Sequence, residues 1–342
     1  SKMVVGQVLQ ESDAYRRGLK SGDQLVTFAG RPMSSTNQFK NVLGIYPAEW
    51  RLPLSYRRNN VKKEMLVRLM GLQDVLVEKP DAPKPPAPGP GPRPGPGGPG
   101  GSPAMAKSPA NKLYEAKKGF ANYYFNKLAQ DALLGRIKKS ADLTAKTGTW
   151  VVEGRIALAD RQGTLKLEWK DDKDGLTEVS LTRENAPAES LVPLKGSQSV
   201  SELQLPAGSG GLLAALYQFR LLFAKGRAGF ERQFVHAGHE PCYPPRVDGK
   251  EVDELKDLRV DCEVIKTKHA TFDAKWFFDL PKDGKPQRLV ACESYVSKED
   301  DPCELYFGDY KTVDGKELPH RIEVRFADKK YAVLTLSKFD LK

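Results

Sequence analysis

Between Pro80 and Pro103, 18 of 24 residues are proline or glycine. Such a run has no side chains to bury and few backbone donors for a ladder, so no core crosses it and the chain divides there. In a polyproline conformation of about 3.1 Å per residue it reaches on the order of 70 Å. Three segments follow: a small domain over residues 1–78, a linker over 79–108 and a large domain over 109–342.

Charge sorts along the same boundaries. The chain carries 54 Lys plus Arg against 44 Asp plus Glu, a net charge of +10. Residues 1–78 hold 12 basic and 7 acidic side chains, 79–110 hold 4 and 1, and the remainder 38 and 36. The excess lies in the small domain and linker without an aromatic platform, so it reads as a solvated basic face and no nucleic-acid partner is expected. The most apolar run, 212–224, is broken by Gln218 and Arg220, so no bilayer span is expected and any membrane contact is peripheral. Ser1-Lys2-Met3 is not a basic and apolar leader, which reads as a processed or truncated chain.

In the small domain the pattern is strand (Val4 to Leu9), one helical turn (Glu11 to Arg17), strand (Gln24 to Phe28), a helix to Leu43 capped by Ser34 or Ser35, and a hairpin of Trp50 to Arg57 with Lys63 to Leu69. Gly22 suits the positive φ of a tight turn, Leu19 and Leu25 point inward, and Asp23 can accept turn amides. The order, with Ala14-x3-Gly18-Leu19-Lys20-x-Gly22-Asp23-Gln24-Leu25 and Gly30-Arg31-Pro32-Met33, resembles a PDZ domain of the bacterial HtrA or Deg-type serine proteases. That resemblance implies recognition of peptide or protein C-termini, with Gly18, Leu19, Gly22 and Asp23 as the core motif. It places Phe39 and Val42 in the core and Thr36, Lys40 and Leu43 on the groove wall. The chain begins after the position of the family's carboxylate-binding loop, so the groove is expected to be either completed from upstream or degenerate.

In the large domain, residues 111–139 read as mainly helical, with Ala121, Tyr124, Phe125, Leu128 and Ala132 on one core face. Alternation predicts strands near 150–158, 164–169, 177–183, 190–194 and 200–205, then near 234–243, 258–266, 274–279, 288–295, 304–311, 320–326 and 331–339. Between the two sets, Gly210-Gly211 opens a helix to about Lys225 that is apolar around most of its circumference. Such a helix must be covered, and a long antiparallel sheet wrapped around it satisfies both patterns. The expected class is α+β: a PDZ-like domain, a Pro/Gly linker, and a curved antiparallel half-barrel around helices.

Phe278-Asp279-Leu280-Pro281-x-Asp283-Gly284-x-Pro286-x-Arg288-Leu289 and Phe307-Gly308-Asp309-Tyr310-x-x-Val313-Asp314-Gly315-Lys316-x-Leu318-Pro319-His320-Arg321-Ile322 resemble the C-terminal part of LolA-type lipoprotein carriers. The resemblance implies a half-barrel sheltering an acyl chain, here against Leu212, Leu216, Phe219 and Phe223, and hence a lipid or lipidated protein as partner. The same residues also read as an ordinary hairpin turn over an interior filled by side chains.

No catalytic constellation emerges. Ala207-Gly208-Ser209-Gly210-Gly211 approximates a serine-protease nucleophile loop, but all four histidines follow Ser209, so Ser209 reads as a helix cap. Cys242, Cys262, Cys292 and Cys303 lack zinc-site spacing. Their strands read as adjacent, so disulfides 242–262 and 292–303 are expected, implying an oxidising compartment. A second reading takes His236 and His239 as metal ligands, which requires a turn at Gly238 because strand residues three apart face opposite ways. Asp171-Asp172-Lys173-Asp174-Gly175 begins like a calcium loop but has Arg183 where the glutamate belongs, so it reads as a solvated turn.

The sequence therefore points to a non-catalytic interaction region of an exported protein of the periplasm or cell envelope, in an HtrA-type context, with no cofactor. The alternative is a lipid or lipoprotein carrier whose PDZ-like domain serves only to dock it.

Overall fold

The computed structural model describes residues 3–71, 113–171, 177–192, 198–230, 232–246, 254–282, 285–297 and 300–342. The expected linker, 79–108, and residues 172–175 of the acidic turn lie outside them. The chain forms two compact units, Ser1–Phe125 and Asn126–Lys342.

The first unit runs β1 (Met3–Val4), α1 (Asp13–Arg16), β2 (Gln24–Phe28), β3 (Arg31–Pro32), α2 (Thr36–Leu43), β4 (Arg51–Arg58) and β5 (Val61–Arg68). Its antiparallel sheet is ordered β1-β2-β4-β5, with β3 also on β2. Ser12 caps α1 by accepting from the Tyr15 amide, and Ser35 caps α2 by accepting from Gln38. Leu25, Phe28, Leu52, Leu54 and Val67 form the core, closed by Val42 of α2. The first strand is shorter than alternation predicts. Its partner β2 starts only at Gln24, so beyond Val5 the chain has no ladder to join.

The second unit contains α3 (Tyr123–Ser140, whose first turn belongs to the first unit), β6 (Trp150–Leu158), β7 (Gln162–Asp171), β8 (Thr177–Arg183), β9 (Glu189–Leu191), α4 (Val200–Leu203) and α5 (Leu212–Arg220). After α5 come β10 (Gln233–Cys242), β11 (Val260–His269), β12 (Phe272–Asp279), β13 (Leu289–Tyr295), β14 (Cys303–Val313), β15 (Lys316–Phe326) and β16 (Lys329–Leu341). Among the described residues these eleven strands form one antiparallel sheet ordered β10-β11-β12-β13-β14-β15-β16-β6-β7-β8-β9. Helix α5 touches β8 and β9 on one side and β12, β13 and β14 on the other. In a flat sheet β8 and β12 would stand about 34 Å apart at ~4.8 Å per strand, three times a helix diameter. The sheet therefore curls around α5.

Every residue of α5 except Phe219 is buried, and its polar side chains find separate anchors. Gln218 Nε2 donates to Ser294 Oγ at 2.9 Å, Tyr217 OH pairs with His269 Nε2 at 3.1 Å, and Arg220 donates to the carbonyls of Trp169, Thr147 and Gly148. These contacts fix the rotation of an otherwise apolar cylinder. Ser209 is wholly buried and accepts from the Gly211 and Leu212 amides at 3.2 and 3.0 Å, satisfying donors at the helix start, although the N-cap position is Gly211 rather than Ser209.

Two elements differ from expectation. Residues 200–203 are helical rather than a strand, because Ser199 and Glu202 form a reciprocal capping box. Helix α3 is rotated from its predicted face: Gln130, Leu133 and Ile137 are buried, while Ala121, Phe125, Leu128 and Ala132 are exposed. The cause lies at the edge strand β10, whose outer backbone groups need partners. Asn126 Nδ2 donates to the His236 carbonyl at 2.7 Å, the His236 amide donates back to Asn126 Oδ1 at 3.2 Å, and Gln130 donates to the Phe234 carbonyl. Satisfying that edge outweighs burying the apolar stripe.

Candidate functional site

Where α5 leaves the sheet, its backbone widens into a π-helical turn, Leu221–Lys225. Such turns recur at functional sites. This one carries Phe223, and the α5 turn just before it carries Phe219, both half-buried, to the opening between helix and sheet. Their rings lie 4.5 Å apart, and Phe219 stacks on Phe307 at 5.7 Å and 22°.

Two small cavities meet there. The larger, about 40 Å³, is lined by apolar side chains alone, among them Trp150, Leu216, Phe219, Phe307, Ile322 and Phe339. The smaller, about 20 Å³, shares Leu143, Phe219, Leu318 and Pro319 with it and adds Phe223, so the two form one seam. The smaller also has a polar side: Ser140, Gln287, Arg288, Tyr310 and Glu317. Arg288 pairs with Glu317 at 2.6 Å and lies 5.2 Å from the Tyr310 ring centroid. Burial pushes the Tyr310 phenol up, and its OH donates to the Leu289 carbonyl at 2.6 Å. Burial likewise raises the Asp279 carboxyl, which accepts from the Arg288 amide.

Of the predicted lining, Leu216 and Phe219 border the larger cavity and Phe219 and Phe223 the smaller, while Leu212 is fully buried away from both. In the first unit Gly18 and Gly22 take φ of +92° and +89°, and Leu19 and Asp23 are buried. On α2, Thr36 and Lys40 are exposed and Leu43 packs partly against the core.

Beside the smaller cavity lies a polar lock that sequence reading did not find. Glu263 on β11 accepts from Arg136 of α3 at 2.5 Å and from Gln287 at 2.8 Å, and faces His236 Nε2 at 3.4 Å. Burial pushes its carboxyl up, but hydrogen bonds from His236, Gln287 and Arg136 prevail and hold it down at about 2.

A bulge at Gly238 (φ +84°) puts His236 opposite Ile265 and His239 opposite Glu263, so both histidines fall on one face. The described residues nevertheless contain no group of three or more His, Cys, Asp or Glu arranged to hold a metal ion. His236 is engaged by Glu263, and His239 is exposed.

No family model matches the chain, and no curated protein matches it. Several solved structures resemble it at low identity, three of them as follows. A LolA superfamily protein from Nitrosomonas europaea is 14% identical, covers 62% of this chain and 93% of its own, and gives a TM-score of 0.35. A DUF1329 family protein from Desulfovibrio piger gives 13%, 63%, 92% and 0.35. A domain assigned to outer membrane lipoprotein sorting, from Vibrio parahaemolyticus, gives 15%, 62%, 92% and 0.32.

The expected disulfides are absent: none of the four cysteines is disulfide-bonded, and all four are buried. Register explains it. Cys242 stands opposite Val260 and Cys262 opposite Glu240; Cys292 stands opposite Leu305 and Cys303 opposite Ser294. Each pair is diagonal on its ladder, about 7 Å apart, beyond the reach of an unstrained S–S bond. The thiols pack instead as small hydrophobes, Cys292 and Cys303 in the main core and Cys242 and Cys262 in a second cluster with Val264 and Phe277. With them goes the cysteine argument for an oxidising compartment.

Proposed function

We propose that the second unit is a binding domain for the acyl chain of a lipid or lipidated protein, taken into the seam between α5 and the curled sheet. One observation carries the reading: the larger cavity opens beside Phe219 and is lined by no polar side chain. An apolar, water-poor slot with a polar rim at one end suits a chain with a polar head, held by area rather than by directed bonds. At about 40 Å³ the seam is near the volume of one water molecule, so it is described in its closed form. Loading requires Phe219 and Phe223 to swing out. Both are half-exposed, Phe219 in the last turn of α5 and Phe223 on the π turn that follows. Such a carrier would act in the cell envelope.

For the first unit the peptide-groove reading stands as a proposal, supported by exposed Thr36 and Lys40 one turn apart on α2.

The test is titration of the full chain with a fluorescent fatty acid, with native mass spectrometry of the purified protein for acyl adducts. Saturable binding that Phe223→Asp weakens at least about tenfold supports the seam. A folded protein that binds no acyl probe, or a Phe223→Asp variant that binds as the parent does, overturns it.

A further inference from the structure

The apolar stripe that α3 leaves uncovered has a flank of cations. Phe125 is 62% and Leu128 47% exposed, with Ala132 one turn further on. Lys138 and Lys139 are exposed in the last turn of the helix. The acidic residue of α3, Asp131, is neutralised by Arg227 at 2.6 Å.

We propose that this face of α3 docks the protein on an anionic phospholipid surface. A helix lying in an interface needs a line of aromatic or large aliphatic side chains to enter the headgroup layer and lysines beside it to meet negative lipid charge. The α3 stripe supplies both, while the opposite face is bonded to β10 and unavailable. Two large apolar residues give shallow, reversible attachment, with charge contributing much of the affinity.

The placement suits the seam. Ile137 and Ser140 of α3, with Ala141 just beyond it, line the smaller cavity from the buried side of the helix, so docking through the exposed stripe leaves that cavity unobstructed. This deepens the acyl-binding reading, and only the delivery role rests on it; surface docking stands or falls separately.

The experiment is co-sedimentation of the full chain with vesicles of phosphatidylcholine alone and of phosphatidylcholine mixed with phosphatidylglycerol. The parent is expected to sediment with the mixed vesicles, and raised salt is expected to release it. Phe125→Ser with Leu128→Ser, and separately Lys138→Gln with Lys139→Gln, each lower the vesicle affinity about tenfold or more. All four side chains face solvent, so the fold is retained, and fatty-acid titration without vesicles shows that the seam is unchanged. Equal sedimentation with neutral vesicles, or variants that sediment like the parent, overturn the proposal. Concentration-dependent dimers in the parent that vanish in Phe125→Ser with Leu128→Ser also overturn it, assigning the stripe to a second copy. Loss of fatty-acid binding with vesicle binding intact would sink the acyl reading and leave the docking surface standing.

Discussion

Arg58 closes a fork on Asp23: its Nε donates to Oδ1 and its Nη2 to Oδ2, both at 2.7 Å, while Nη2 also reaches the Gly18 carbonyl. Residues 35 positions apart thus hold one turn, and the Lys20 amide adds a third bond to the carboxylate. The Arg58 guanidinium keeps the Asp23 carboxyl below the ordinary range. Asp23→Asn leaves the turn without its anionic acceptor and is expected to destabilise the first unit by about 2 kcal/mol, read by urea denaturation followed by hydrogen exchange of residues 18–25.

The Glu263 lock gives the second unit an acid limit. Its folded pKa of about 2 lies below the ordinary 4.5, so its contribution is complete above pH 4.5 and drains away as pH falls toward 2. Thermal unfolding from pH 7 to pH 3 should show this loss in the second unit. Glu263→Gln should flatten that slope and cost about 3 kcal/mol at neutral pH, because Arg136 then faces no charge. A slope unchanged by Glu263→Gln would assign the acid limit elsewhere.

The cysteines make a mass-spectrometric prediction. Burial pushes the thiols of Cys292 and Cys303 well up, so almost none of either is thiolate at pH 8. Iodoacetamide should add nothing to Cys262, Cys292 or Cys303 in the native protein and should label all four cysteines after denaturation without reductant. A mass lower by two hydrogens per pair would contradict the register described above.

Gly210, at φ +70°, lies against the Phe326 ring, and a Cβ there would stand 2.2 Å from Cδ2. Gly210→Ala should therefore unseat Phe326 and cost about 2–4 kcal/mol, seen as a lower denaturation midpoint of the second unit. Gly238→Ala, also at positive φ but with open space around its Cβ, should cost about 1 kcal/mol.

Much of this architecture is legible in the sequence because a sheet closed over one helix marks every second residue. Leu165, Leu167 and Trp169 face inward on β7 as alternation predicts, and so do Ala332, Leu334 and Leu336 on β16. Two misreadings arose where polar chemistry overrides apolar pattern. Ser199 and Glu202 make a helix of four residues that alternation mistakes for a strand, and Asn126 and Gln130 turn α3 toward the β10 edge. The seam is only half legible. Phe219 and Phe223 declare themselves on a helix with too much apolar surface, but Glu263 meets partners 127 and 24 residues away, and no spacing announces that. The disulfide pairing failed by two residues of register, since adjacency of strands does not reveal which rungs oppose.

The sheet also carries a constraint on the order of events in synthesis. Its open margins, β9 and β10, come from the middle of the chain, whereas its centre joins the first strand of the unit to the last, from Leu158 opposite Ala332 to Trp150 opposite Leu341. On the ribosome the β6–β9 and β10–β15 portions emerge as separate meanders, each with an unpaired inner edge. Only when β16 leaves the exit tunnel can the portions be stitched together around α5, so this unit commits to its native shape only once its own final strand has been made.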